Sequence, residues 1–349
     1  MFFFIVLPAS KPWIIGGLVL VCLEVLADFG TVAIFSVNTF TTTIYKLWTG
    51  FFSIHAAQQM ASILLLFILC FFFIAEKNKS KRNYMVKDTQ LRFRRIVLHG
   101  WQKWLMLGFA CMLVFFTAVL PLGMLGFWII SGWEEINFGN LMTLFNSFTI
   151  AALSGIISVI LALLLSFGKF NAAKLVLTKL LNPMLVLGYA IPGSVLAVAV
   201  FTFVSFFAQN YFSNTLAVLL FALAVRYTAI FTINIDQALK RIPNQLYDAS
   251  RSLGRVSVGM YRRVHLPLLL PSIGYTFLIV VIETLKEIPL TLMTRPFGWD
   301  TLAVKIYQFT SEGHWEQASY PAALLVILGI IPIYFFAVLI NKSNGTARS

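Results

Sequence analysis

Eight long apolar segments constrain the fold of this chain more than any other feature. A helix needs about 20 apolar residues to cross a bilayer core of roughly 30 Å. Segments of about that length lie near 13–35, 57–74, 105–130, 148–167, 184–206, 215–235, 273–292 and 321–340. The chain is 59% hydrophobic and 11% charged, whereas soluble domains carry about 25% charged residues. The excess apolar surface must face lipid, so the sequence predicts an all-α, polytopic membrane protein with about eight transmembrane helices.

The positive charge of the chain indicates its orientation in the membrane. The net charge is +13, and its main clusters lie in the polar gaps 77–103 and 240–263. Starting from a cytoplasmic N-terminus, every strongly basic gap falls on the cytoplasmic side, as does the C-terminus. This distribution follows the positive-inside rule. It favours contact with anionic membrane lipid and argues against nucleic acid as a partner.

An internal repeat links the two ends of the sequence. Its ordered matches pair Leu7-Pro8 with Leu266-Pro267, Pro12 with Pro271, Glu24 with Glu283, Asp28 with Glu287, Asn38-Thr39 with Asp300-Thr301, and Ile44-Tyr45 with Ile306-Tyr307. Chance identity between apolar helices is common, but ordered matches of polar residues and prolines are not. We therefore expect 1–76 to hold the last two spans of a truncated first half, 77–104 to be a basic cytoplasmic linker, and 105–349 to be a complete six-span second half.

The most informative motif lies in the predicted cytoplasmic loop 240–267. The loop fits the pattern EAA-x3-G-x9-I-x-L-P through Asp248, Ala249, Ser250, Gly254, Val264, Leu266 and Pro267. Small residues allow close approach of a partner, and glycine permits a tight turn between two short helices. The alternative is a basic amphipathic helix that lies on lipid. The motif resembles the coupling loop of binding-protein-dependent ABC permeases, which implies that a separate ABC ATPase docks here.

A broader resemblance covers nearly the whole chain. Segments 24–48, 187–200 and 286–307 are similar to the iron(III)-importer branch of these permeases. The resemblance implies a type-1 ABC importer permease fold in a bacterial inner membrane. It also implies ferric iron delivered by a periplasmic binding protein, and a second permease half or copy as a partner. Related permeases carry thiamine, polyamines, sulfate or phosphonates, so these substrates stay open.

Charged residues inside the predicted spans are candidates for the translocation path, because intramembrane charges usually face a cavity or a partner. They are Glu24, Asp28, Glu283, Glu287 and Arg226. The carboxylates of each repeat are four residues apart and share one helix face. They are predicted to give transient oxygen contacts to a hard cation such as Fe³⁺. The alternative is that they pair with Lys286 or Arg226, or cap a helix; no firm metal set is assigned.

The sequence leaves two alternatives to an ABC permease, a secondary transporter and an inactive remnant. The chain has no G-x4-GK[ST] phosphate loop, so we expect no cofactor and no enzyme activity of its own, with ATP bound by a partner subunit. An ion-coupled secondary transporter would use inverted repeats, whereas these two repeats enter the membrane in the same direction. An inactive remnant whose spans merely insert is the third interpretation.

Overall fold

The computed structural model describes residues 2–78, 99–132, 140–171, 187–208, 215–252 and 258–346. Those residues are largely helical and include no β-strand. A π-helical turn at Phe2–Val6 leads into a first group of helices: α1 (Leu7–Ala27), α2 (Gly30–Ile34), α3 (Phe40–Thr49) and α4 (Ile54–Asn78). Most of the predicted linker 77–104 lies outside the described residues.

A second, longer group of helices follows. One continuous helical segment contains α5 (Trp101–Val114), a π-helical turn (Phe115–Val119) and α6 (Leu120–Ser131). The remaining helices are α7 (Asn140–Asn171), α8 (Gly193–Ala208), α9 (Leu216–Lys240), α10 (Asn244–Ser252), α11 (Val258–Met260), α12 (Leu266–Leu285), α13 (Pro289–Thr294), α14 (Leu302–Ser311) and α15 (Trp315–Thr346). A π-helical turn at Tyr261–His265 joins α11 to α12.

Apolar helices lie at all eight predicted positions. Within the described residues, six are long and apolar enough to cross a membrane: Ile54–Ile74, Trp101–Ser131, Leu141–Gly168, Leu216–Lys240, Tyr261–Leu285 and Trp315–Phe335. Two shorter apolar helices, Ile14–Ala27 and Gly193–Phe207, occupy the first and fifth predicted positions. The prediction of an all-α, polytopic fold is therefore confirmed, with eight as an approximate count.

Two predicted boundaries differ from the structure for local reasons. The first span was expected to reach residue 35, but α1 ends at Ala27 because Asp28 adopts extended backbone angles (φ −64°, ψ 131°). The seventh was placed at 273–292, whereas α12 ends at Leu285 and a new helix begins at Pro289. Proline has no N–H to continue a helical ladder, and its ring suits the first turn of a helix.

The repeat seen in the sequence is also a repeat of helices. Matched elements at the two ends of the chain are separated by 259 positions. This separation holds for the π-helical turns Phe2–Val6 and Tyr261–His265, for the first residues of α1 and α12, and for the first residues of α2 and α13. The next pair is α3 and α14, which have 10 residues each and begin 262 positions apart. The last pair is α4 and α15, which begin 261 positions apart. Because the helices begin at matching positions, both ends of the chain have the same order of helices.

Both repeats contribute to one apolar core around α9. Leu219, Leu223 and Phe231 of α9 are fully buried, as are Leu64 and Ile68 of α4, and all five belong to one cluster. By contrast, none of the residues in the Trp101–Ser131 segment is buried within the chain. This segment contacts the rest through its far end, where the indole rings of Trp128 and Trp315 stack at 6.1 Å. The core therefore joins residues distant in sequence, and α5 lies at its edge.

A buried hydroxyl connects α7 to the start of α14. Ser147 Oγ accepts a hydrogen bond from the backbone N–H of Leu302 at 2.8 Å. We expect Ser147→Ala to lower the free energy of unfolding by about 1–3 kcal/mol, because the buried N–H loses its acceptor. Chemical denaturation of the purified protein in detergent measures this change. The control is Ser62→Ala, since that hydroxyl is exposed and donates to the carbonyl of Gln58 in its own helix; equal effects of the two substitutions would contradict the prediction.

Candidate functional site

The candidate site forms where the helices of both repeats are interrupted. Asp28 lies between α1 and α2, and Glu287 lies at the equivalent position between α12 and α13. Asp28 Oδ1 accepts a hydrogen bond from the N–H of Thr31 at 3.4 Å, and Glu287 Oε1 accepts one from the N–H of Leu290 at 3.2 Å. A carboxylate at a helix start satisfies an unpaired N–H and interacts favourably with the helix dipole. Both acids therefore act as caps for the short helices that follow them.

The second partner of Glu287 is Arg226, from the middle of α9. Arg226 Nη1 lies 3.6 Å from Glu287 Oε1, and the two side chains are only 14% and 8% exposed. A charge in a membrane interior is costly unless a partner neutralises it. Because the two charges are opposite, the net charge of Arg226 and Glu287 together is close to zero.

Gly193, the first residue of α8, makes this ion pair sterically possible. A β-carbon at this position would lie 2.3 Å from Glu287 Oε1 and 2.9 Å from Arg226 Nη1. The next atom is Pro289 Cγ, at 3.1 Å from the same β-carbon position. The helical backbone is interrupted at Ile191-Pro192, and the charged pair lies directly against Gly193. Its role in receiving the ion pair was not foreseen.

The other two candidate acids lie one turn earlier on their helices. Glu283 is 25% exposed and forms an ion pair with Lys286 at 2.8 Å, while Glu24 is exposed on α1. The phenol of Tyr189 lies within electrostatic range of both acids, of Arg226 and of Lys286. The structure thus brings candidates from both repeats to one region.

The pairing and capping alternative raised from the sequence accounts for Asp28, Glu283 and Glu287 in this conformation. Among the described residues, no group of three or more His, Cys, Asp or Glu side chains is arranged to hold a metal ion. Cation contact by these carboxylates therefore stays a prediction.

The predicted coupling motif begins on an exposed helix. Asp248 and Ala249 are exposed on α10, and Ser250 is buried. Gly254 lies outside the described residues. This arrangement presents one acidic and one small side chain on the surface of the loop.

The returning arm of the loop is fixed against the membrane-spanning part. Tyr261 donates a hydrogen bond from its hydroxyl to the carbonyl of Leu163 at 3.2 Å, and its ring lies 5.2 Å from that of Phe167. Val264 is partly exposed just before Leu266 and Pro267, which begin α12. Because this arm continues directly into α12, displacement of the loop is mechanically linked to that helix.

An aromatic contact between the repeats was missed in the sequence. The ring of Tyr307 lies 6.1 Å from that of Tyr45 and 5.3 Å from that of Phe29. Tyr45 and Tyr307 are matched positions of the repeat. That match was the signal in the sequence, but it did not show that the two side chains touch.

Comparison with known proteins identifies the family. Residues 156–345 match the family model described as binding-protein-dependent transport system inner membrane component. The chain is 25% identical over 339 residues to the Fe(3+)-transport system permease protein FbpB 2 of Haemophilus influenzae, covering 95% of this chain and 67% of the relative. It is 31% identical over 121 residues to the putative 2-aminoethylphosphonate transport system permease protein PhnV of Salmonella typhimurium, covering 35% of this chain and 44% of the relative.

A solved structure has the same fold. It is the crystal structure of a bacterial ABC transporter involved in the import of the acidic polysaccharide alginate. One chain of it superposes with a TM-score of 0.51 at 15% identity, covering 70% of this chain and 95% of that one. The chain spans about two thirds of the length of the first relative and under half of the second.

Proposed function

This chain belongs to the family of binding-protein-dependent transport system inner membrane components, and we propose that it moves ferric iron into the cytoplasm as a permease subunit of an ABC importer. The observation that carries the proposal is the coupling motif on α10. Asp248 and Ala249 are exposed there, whereas the arm that follows is attached to α7 through Tyr261. An ATPase that pushes on α10 would transmit its movement to α12.

The partners follow from the family and from what the sequence contains. ATP is bound and hydrolysed by a separate ABC ATPase subunit, because the sequence has no phosphate loop of its own. A periplasmic binding protein delivers the substrate at the opposite side. A second permease half or copy completes the pathway, and membrane lipid surrounds the outer faces.

The orientation is set by the coupling loop and by the basic gaps. With loop 240–267 in the cytoplasm, α12 begins at the cytoplasmic side, and its 20 residues extend for about 30 Å. Its last residues, and with them Glu287 and α13, therefore lie toward the periplasm. Both chain termini are cytoplasmic, in agreement with the positive-inside rule.

Ferric iron is the substrate that the sequence comparison favours. The Fe(3+)-transport relative is similar over 95% of this chain, whereas the 2-aminoethylphosphonate relative is similar over 35%. Carboxylate oxygens suit a hard cation. Glu24 is exposed and Glu283 is only partly buried, so these two are better placed for transient contact than the buried Glu287.

The test is a substitution that blocks the proposed docking surface. Ala249→Arg places a long charged side chain where close approach is required. We expect it to abolish uptake of radiolabelled ferric iron and co-purification of the ATPase subunit, while the protein reaches the membrane at its normal level. The measurement uses cells that carry the importer genes, with uptake of 2-aminoethylphosphonate and spermidine followed in parallel.

Ala249→Ser serves as the matched control, because it retains a small side chain and should preserve both properties. Normal iron uptake by Ala249→Arg would contradict the coupling role. Uptake of 2-aminoethylphosphonate or spermidine in place of iron would retain the permease function and overturn the assignment of the substrate.

A further inference from the structure

The turn between α3 and α4 exposes two consecutive phenylalanines, Phe51 and Phe52, which we call the aromatic turn. These residues are 74% and 86% exposed. The backbone of the turn is nonetheless held in place. The N–H of Phe51 donates to the carbonyl of Lys46 at 3.1 Å, and the N–H of Ser53 donates to the carbonyl of Leu47 at 3.0 Å. A fixed turn therefore keeps both phenyl rings exposed.

Phe52 adopts a backbone conformation that suits glycine. Its φ is +50°, a region in which the β-carbon of an L-residue crowds the following carbonyl oxygen. Counted back from the helix that follows, the equivalent residue of the second repeat is Gly313, with a φ of +82°. The turn before each long helix thus contains a left-handed residue, and the first repeat fills this position with phenylalanine where glycine would be unstrained. A strained residue that the fold does not require points to a function for its side chain.

The depth of the aromatic turn argues against lipid as its partner. The two repeats enter the membrane in the same direction, and α4 and α15 begin at matched positions, so the turns before them lie at the same depth. In the second repeat this turn contains Glu312 and His314, both exposed. Because a charged side chain is costly in hydrocarbon, this depth is on the water side of the membrane. In the proposed orientation, that side is the periplasm.

Packing by another transmembrane helix does not account for the exposure either. In the second repeat, α6 packs against the start of α15, where the rings of Trp128 and Trp315 stack at 6.1 Å. A helix packed in the same way against α4 would cover Ile54, the equivalent of Trp315. It would leave the aromatic turn exposed, as α6 leaves Glu312 and Gly313 exposed.

We propose that the aromatic turn anchors the periplasmic binding protein and fixes which of two orientations that protein takes on the permease. The proposal rests on the transport function proposed above. Two parallel repeats present similar surfaces, on which a partner can dock in two orientations. Aromatic side chains that enter a pocket of the partner dominate many protein interfaces. The first repeat offers two phenyl rings, whereas the equivalent turn of the second repeat contains Glu312, Gly313 and His314. A binding protein with one apolar pocket would therefore dock in one orientation.

The test measures docking without transport. The full chain is kept in its importer complex, in lipid nanodiscs without ATP, and the binding protein encoded with the importer genes is immobilised on a biosensor, with and without ferric iron. Phe51→Ala and Phe52→Gly should each weaken binding roughly tenfold or more, a loss of about 1.4 kcal/mol or more of binding free energy. Phe52→Gly should also keep or raise the midpoint of thermal unfolding, because glycine suits the positive φ. Loss of affinity without loss of stability separates an anchor from a structural role.

Two control variants locate the effect. Phe73→Ala removes a phenylalanine that is 66% exposed near the other end of α4, and it should leave binding unchanged. Glu312→Ala alters the equivalent turn of the second repeat and should also leave binding unchanged. Unchanged binding by Phe51→Ala and Phe52→Gly, or equal weakening by Phe73→Ala, would overturn the anchor. Equal weakening by Glu312→Ala would overturn the choice of one orientation.

Chemical labelling distinguishes a protein partner from lipid. The chain has three cysteines, Cys22, Cys70 and Cys111, which are first replaced by alanine. Phe51→Cys, with Phe52 retained, then reports on the aromatic turn. A membrane-impermeant maleimide added to right-side-out vesicles should label this cysteine rapidly, and added binding protein should slow the labelling. Slow labelling without the binding protein would place the turn in lipid and overturn the proposal.

Neither measurement requires iron transport, which separates this inference from the proposed function. Unchanged binding in both phenylalanine variants, with normal iron uptake, overturns the anchor alone. Weakened binding in a complex that never carries iron supports the anchor and overturns the assignment of the substrate.

Discussion

Arg226→Ala is expected to lower the free energy of unfolding by about 3–5 kcal/mol, which is the usual cost of leaving a buried charge without its partner. Glu287 is 8% exposed, and its carboxylate cannot turn to water without giving up the cap on α13. The change is measured by denaturant titration of the purified protein in mixed micelles, followed by tryptophan fluorescence.

Two further variants separate the charge from the packing. Lys286→Ala removes the partner of Glu283, but Lys286 is 61% exposed, so the loss should be small, about 0–1 kcal/mol. Adding Glu287→Gln to Arg226→Ala removes the unpaired charge and keeps an oxygen to accept from Leu290, so it should restore part of the stability. Equal losses for Arg226→Ala and Lys286→Ala would show that burial of the pair has no consequence.

Gly193→Ala should destabilise the ion pair between Arg226 and Glu287 by adding a methyl group on α8, which packs against it. The added β-carbon would lie 2.3 Å from Glu287 Oε1 and 2.9 Å from Arg226 Nη1, which is well inside van der Waals contact. Either α8 shifts away from α13 or the ion pair separates, and overpacking of this kind costs about 1–3 kcal/mol. We expect a loss in that range, measured in the same titration.

Gly188→Ala is the matched control for this substitution. A β-carbon there would lie 3.4 Å from the carbonyl oxygen of Val225, which is close to ordinary contact, so little stability should be lost. A Gly193→Ala protein as stable as the Gly188→Ala protein would mean that the ion pair tolerates displacement. In that case the site is looser than its distances indicate.

The spacing of residues along the chain predicted most of the local features. Glu283 and Lys286 are three apart on one helix, so their pairing follows from helical geometry alone. Proline at the start of α12 and of α13 similarly marks a helix start. Where the prediction failed, as at Asp28 and Lys286, a polar residue ended a helix inside an apolar run that appeared continuous. Hydropathy averaged over a span does not register a break of two or three residues.

The candidate site was predicted only as a set of residues. The repeat identified both pairs of carboxylates, and the apolar surroundings of Arg226 showed that it needs a partner. Neither observation could choose Glu287 over the other acids, because Arg226 is 61 positions away from it along the chain. That choice depends on how α9 packs against the break before α13.

The sequence by itself determined the helical membrane fold and the repeat and located the predicted coupling motif, because hydropathy, ordered matches and fixed spacing are all properties of the linear chain. Only the tertiary structure decided that Glu287 pairs with Arg226 beside Gly193, and that the ring of Tyr45 packs against the ring of Tyr307. Such contacts join segments separated by tens to hundreds of positions. They arise from the packing of whole helices around one core, so a side chain's partner is fixed by the final arrangement of helices and not by its neighbours in sequence.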